Sequence, residues 1–162
     1  MDVEEAIRTR RSIRKWSDRP LDKDTIIGLM DSVRLAPSGH NGQQWELIVV
    51  TDRDRLDQLV PICNDQRHVG EAGAFMFIVT DPSAKWTHVD PAIAMDHLTL
   101  RAREMGLGTC WIGAFNELRM REFLGIPEEK IAVIGMTLGY PGDDPEPRGR
   151  RSLDDLVHWE NY

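Results

Sequence analysis

Three apolar runs of strand length constrain this chain most: ELIVVT at 46–51, AFMFIVT at 74–80 and IAVIGMTL at 131–138. Runs of this length suit buried strands. The longest unbroken apolar stretch, Ala72 to Val79, falls far short of the ~20 residues that span a bilayer. A fourth, shorter strand is read at 109–112, and helical patterns fill the intervals. The chain opens with a short helix at 2–9. A second helix starts at Asp22 or Asp24 and turns Ile26, Ile27, Met30 and Val33 to one face; Pro37 closes it. A third covers 53–60 with Leu56, Leu59 and Val60 inward. The longest, 91–105, has Pro91 in its first turn, Ile93, Ala94, Leu98, Ala102 and Met105 at helical spacing, and Gly106 as its stop. A helix at 117–124 and a last short one capped by Ser152 complete the set. Strands alternating with helices predict one mixed α/β layered domain over residues 1–162.

The chain carries 27 acidic and 20 basic residues, a net charge of −7. That balance argues against a general nucleic-acid binder. Cys63 and Cys110 form no CxxC and no zinc-ligand spacing, and the first residues, MDVEEAIRTRR, contain no apolar leader segment. A cytoplasmic protein without disulfides or a membrane partner is the expectation. Gly139 to Arg151, rich in Pro and Gly, reads as a functional loop or the start of a C-terminal arm.

Against that acidic background, RTRRSIRKW at 8–16 packs in Arg8, Arg10, Arg11, Arg14 and Lys15. Arginine forks present paired N–H donors that suit phosphate oxygens, and Ser12 adds a hydroxyl. A solvated basic face at a helix C-terminus accounts for the same residues equally well. APSGHNGQQW at 36–45 supplies Ser38, His40, Asn41, Gln43 and Gln44 in one turn, with Gly39 and Gly42 permitting close backbone approach; an ordinary helix-to-strand loop is the alternative. GLGTCWIGAF at 106–115 imitates a dinucleotide fingerprint. It fails, because Trp111 stands where the last glycine belongs and the stretch follows a helix. What remains is a short strand that is either core or a wall against a flat ligand. PRGRR at 147–151 is a second basic cluster, meaningful if it meets the same anion as the first.

No GxSxG, GxxxxGK[ST] or HExxH is present. His88, Asp90, Asp96 and His97 do not make a metal site, since neighbours on a helix diverge by about 100°. Cys110 reads as a buried small hydrophobe.

Together these segments resemble the nitroreductase family of FMN-dependent NAD(P)H oxidoreductases. The matching stretches are RRSIRKW (10–16), APSGHNGQQW (36–45), MDHLTLRAREMGLGTCWIG (95–113) and LGYPGDDPEPRGRRSLDDLVHW (138–159). The resemblance implies an α+β three-layer sandwich with a mixed, mainly antiparallel central sheet, an intertwined homodimer with an arm from about residue 139 onward, and two FMN sites at the subunit boundary. It assigns Arg10, Arg11, Ser12 and Arg14 to an N-terminal FMN motif, with Arg14 near the N1–C2=O edge. Pro37, Ser38, Gly39 and Asn41 form the loop that the partner presents. Trp111, Ile112, Gly113 and Ala114 lie along the ring, and Arg148 and Arg150 close on the phosphate. It implies hydride transfer from NADH or NADPH through flavin N5 to a nitroaromatic, quinone or similar small-molecule acceptor, with no catalytic side chain and no metal. A flavin-binding sensor or carrier on the same fold is the alternative. The 64–90 stretch is short, with no helical insertion to cover the flavin, and Trp86, His88 and His40 are candidates for the pocket mouth.

Overall fold

The computed structural model describes residues 1–162. Its helices are α1 (Val3–Thr9), α2 (Lys23–Arg34), α3 (Arg53–Leu59), α4 (Arg67–Glu71), α5 (Val89–Glu104) and α6 (Glu117–Leu124). The strands are β1 (Trp45–Val50), β2 (Ala74–Thr80), β3 (Gly108–Ile112) and β4 (Ile131–Gly139). They form one sheet in the order β1-β2-β4-β3, with every neighbouring pair antiparallel. One parallel bridge, Ser12 to Thr109, adds the α1–α2 connection to the β3 edge. The four strands are thus wholly antiparallel rather than mixed, and that bridge is the one parallel contact.

Alternation along β2 divides the core in two, because successive side chains leave opposite faces of a strand. Met76 and Ile78 join Met136, Leu138 and the buried faces of α2 and α5. Phe75, Phe77 and Val79 join Leu56, Leu59, Val69, Ile112 and Met120 on the other side. Phe77 meets the Phe115 ring edge-on at 5.2 Å. The result is a three-layer α+β sandwich with the sheet in the middle.

Local chemistry explains most element ends. Asp2, Asp22, Asp52 and Asn116 each accept an N–H from the first turn of α1, α2, α3 and α6, which satisfies donors the helix cannot. α5 begins two residues before the expected Pro91 and ends at Glu104, with Met105 as its C-cap and Gly106 next at φ 74.

Four expectations need correction. Ile27 is exposed on α2, and Leu29 takes the inward place beside Ile26 and Val33, so the buried stripe runs one step round the helix. β1 is not a buried strand. It lies at the sheet edge, and only Val50 is fully covered. The last helix is absent: after Ser152 there is one turn, closed by the Leu156 and Val157 N–H groups on the Leu153 carbonyl. α4 was not foreseen; it has no side-chain cap and owes its place to Val69 in the second core.

Candidate functional site

α1 ends at Arg10, whose backbone turns extended. The chain then runs beside β3, with the Ile13 N–H donating to the Thr109 carbonyl at 2.9 Å. That pairing carries Arg10, Arg11, Ser12 and Arg14 along the sheet edge. At the far end of the chain, Trp16 bridges to Pro141 and returns the segment after β4 to the same place. One cleft of about 450 Å³ results, lined by Arg8, Arg10, Arg11, Ser12, Arg14, Glu146, Arg148 and Arg150 among others. The two basic clusters, remote in sequence, share a wall.

The arginines are not equivalent. Arg8 pairs with Glu4 at 2.8 Å. Arg11 donates through Nη1 to the carbonyls of Arg8 and Arg10 at 2.8 and 2.9 Å, capping the end of α1. Arg150 donates to the carbonyls of Arg148 and Gly149. The guanidinium groups of Arg10, Arg14 and Arg148 make no hydrogen bond or ion pair in the chain, so their donors are free for an incoming anion.

The Trp111–Ala114 stretch divides in role. The Ile112 side chain is fully buried in the second core, and Trp111 turns its ring toward α5. Neither faces the arginine cleft as a flat wall. Gly113 and Ala114 are exposed, leaving their backbone open. Two neighbours carry no motif and escape sequence reading. Gln66 donates to the Ala114 carbonyl at 3.0 Å. His68, whose carbonyl accepts the Trp16 indole N–H at 2.8 Å, lies near Arg14. Burial pushes the Cys110 thiol up, against a downward pull from Arg14, Ser12 and Arg10; it is a buried small residue, as read.

Burial, then Arg14, pushes the His68 imidazole below its usual value of 6.5, with Glu71 pulling the other way. The unfolded chain thus takes up that proton at higher pH than the folded one. Stability from this group is complete above about pH 6.5 and falls as pH drops toward the lowered folded value. His68→Gln is expected to flatten the dependence of melting temperature on pH between 5 and 7. An unchanged slope would remove His68 from that role.

The Pro37–Asn41 loop lies elsewhere. The Gly39 N–H donates to Asp90 Oδ2 at 3.0 Å, at the start of α5. Trp86 packs so closely on Gly39 that a Cβ there would sit 2.5 Å from Trp86 Cδ1. Three non-glycine residues, His40, Asn41 and Gln43, hold φ of 54, 57 and 50, a strained conformation that usually has a reason. The arginine cleft sits at the other end of α5, where Arg103 donates to Thr9 at 3.0 Å. At 1.5 Å per residue, about 20 Å of helix separates Asp90 from Arg103. Within one chain, Pro37, Ser38, Gly39 and Asn41 are not brought to the cleft. His88 and Trp86 belong to this loop end as well.

No helix is long and apolar enough to cross a membrane. Residues 7–81 and 64–140 match the family model described as Nitroreductase family. A relative in Archaeoglobus fulgidus, named by inference NADH dehydrogenase/NAD(P)H nitroreductase, is 35% identical over 96% of both chains. The FMN reductase [NAD(P)H] of Bacillus subtilis is 26% identical, over 99% of this chain and 74% of its own. The solved structure of the NADPH:FMN oxidoreductase from Vibrio harveyi complexed with NAD+ superposes with a TM-score of 0.90 at 28% identity, over 99% of this chain and 77% of that one.

Proposed function

The chain belongs to the nitroreductase family, and on that premise we propose that it is an FMN-dependent oxidoreductase. It draws reducing equivalents from NADH or NADPH, as the names of its relatives suggest, and passes them to a nitroaromatic, quinone or similar small-molecule acceptor. The observation that carries the reading is the convergence of residues 8–14 and 148–150 on one cleft.

The residues fit the cofactor. A cleft of about 450 Å³ falls in the range of roughly 300–1,000 Å³ typical of small-molecule sites. A phosphate monoester with a charge near −2 suits the unpaired donors of Arg10 and Arg148, with Arg11, Ser12 and Arg150 beside them. Arg14 would meet the N1–C2=O edge of the ring, and the backbone of Trp111, Ile112, Gly113 and Ala114 would lie along it. FMN, when bound, supplies two-electron chemistry of its own, so no side-chain acid, base or nucleophile is required. The chain binds, orients and sets the electrostatics.

The remaining wall comes from a second copy. Pro37, Ser38, Gly39 and Asn41 stand at the wrong end of α5 to serve their own cleft, so a homodimer with the loop of one protomer over the cleft of its partner completes two sites. The arm supports this: Leu153, Leu156 and Trp159 are 74%, 60% and 83% exposed, an apolar display that asks for cover. Both cysteines are free and buried, which fits the reducing cytoplasm.

Purified protein is expected to hold one FMN per chain, to be yellow, and to bleach under anaerobic NADH or NADPH. A colourless chain that takes up no FMN ends the flavin reading. A flavin-loaded chain that neither nicotinamide bleaches is a carrier or sensor instead. Arg14→Ala is expected to lower the flavin midpoint potential by tens of millivolts. A guanidinium about 4 Å from a developing negative charge contributes at most ~4 kcal/mol at an effective dielectric of 20, and 1.4 kcal/mol is about 30 mV for two electrons. Arg14 is exposed, so most of that ceiling is screened. An unchanged potential and flavin content would take Arg14 away from the ring.

A further inference from the structure

Behind the arginine cleft lies a smaller chamber of about 100 Å³, bordered by Arg10, Arg11, Arg103, Thr99, Thr109, Asp143 and Asp144 among others. Asp143 is placed there by backbone. The Gly142 N–H donates to the Lys15 carbonyl at 2.8 Å, and the Ser17 N–H to the Tyr140 carbonyl at 3.0 Å. Only glycine fits at 142, since a Cβ would stand 2.7 Å from the Trp16 carbonyl oxygen. One carboxylate oxygen of Asp143, Oδ2, is 3.8 Å from Lys15 Nζ. The other, Oδ1, is sealed from solvent and has no hydrogen-bond partner in the chain.

A sealed carboxylate oxygen without a donor is costly, and such oxygens are nearly always satisfied. The charged donors that border the chamber are its three arginines. Arg103 is held in direction through Nε by Thr9, and Arg11 through Nη1 by the carbonyls of Arg8 and Arg10. The Arg10 guanidinium is held by nothing in the chain, and like Arg11 it lines both the chamber and the cleft.

Resting on the FMN reading above, we propose that Asp143 is a positioning residue for the phosphate end of the site. Its Oδ1 takes one edge of the Arg10 guanidinium through a water in the chamber and leaves the other edge for the phosphate. A guanidinium has five N–H donors in a fixed fork, so one arginine serves both oxygens, and fixing one edge orients the other. Lys15, Arg11, Arg103 and Asp144 complete the charges around the carboxylate.

The sign of the effect separates this role from plain electrostatics. Removing a negative charge near an anion site tightens anion binding. Removing the group that orients the anion's arginine loosens it. The test is titration of the full-length chain with FMN and with riboflavin, which lacks the phosphate, followed by flavin fluorescence. Asp143→Asn is expected to weaken FMN binding about tenfold or more, the scale on which groups orienting a ligand from behind act, and to leave riboflavin binding nearly unchanged. Asp143→Glu, which keeps the charge but moves it, is expected to lose FMN affinity in the same direction and by less; it carries the comparison if the asparagine variant does not fold. FMN affinity that is unchanged or tighter in the variants overturns the inference, as does an equal loss for both flavins. A wild-type chain that binds no FMN overturns the functional reading, and this inference with it; a wild-type chain that binds FMN leaves the two separable.

Discussion

Arg148→Ala combined with Arg150→Ala is expected to weaken FMN binding by about two to four orders of magnitude without changing the melting temperature of the flavin-free chain. Both side chains stand in the arginine cleft, and both are exposed at the surface of the arm. Arg150 bonds only to its own loop and Arg148 to nothing, so the core loses no contact when they go. The loss falls on the ligand. A hydrogen bond to a charged group contributes roughly 1.5–3 kcal/mol; two of them amount to about 3–6 kcal/mol, and each 1.4 kcal/mol is tenfold in affinity. Equilibrium dialysis against FMN measures the first quantity and differential scanning fluorimetry the second. Normal flavin content in the double variant would show that residues 147–151 are surface charge and that the cleft is held by residues 8–14 alone.

A chain ending at Arg151 is expected to fold, to become monomeric and to lose most of its FMN. Residues 152–162 are exposed throughout. Their internal bonds are local, such as Ser152 with Asp155 and the rings of His158 and Tyr162. Removing them therefore takes nothing from either core. Leu153, Leu156, Val157 and Trp159 gain their value only against another surface, where covering each contributes about 1.5–3 kcal/mol before the cost of association. With two arms per dimer, the dissociation constant is expected to rise by at least about three orders of magnitude. Light scattering across a dilution series reads the mass, and absorbance reads the flavin. A truncated chain that stays dimeric and yellow would assign the arm some other duty.

Much of this architecture was visible before any coordinates. AFMFIVT is a strand under any reading, because β-branched and aromatic residues in an unbroken apolar run fit the middle of a sheet. The α5 pattern declared its face, its proline start and its glycine stop. Ile27 was misassigned although helical spacing holds the answer: Leu29 is three residues from Ile26 and four from Val33, whereas Ile27 stands about 100° round from Ile26 and faces away. The edge position of β1 is a property of pairing order, which no local pattern encodes. In the site, residue chemistry offered the two arginine clusters as phosphate donors, with solvated surface charge as the alternative. Their meeting depends on two bridges, Ser12 to Thr109 and Trp16 to Pro141, whose partners are too far apart in the chain for periodicity to link. His68, Gln66 and Asp143 stayed hidden for a different reason. They belong to no motif, and an aspartate in GDDPEP looks like solvated charge until Gly142 is seen pressed against the Trp16 carbonyl.

α5 acts as a ruler that keeps cleft and loop of the same chain about 20 Å apart. In the proposed homodimer, two damaged chains are therefore expected to repair each other. If one carries a ruined arginine cleft and the other a ruined Pro37–Asn41 loop, a mixed pair contains one site with both faults and one with neither. Two preparations that are each colourless would turn yellow after being unfolded together and refolded as a mixture.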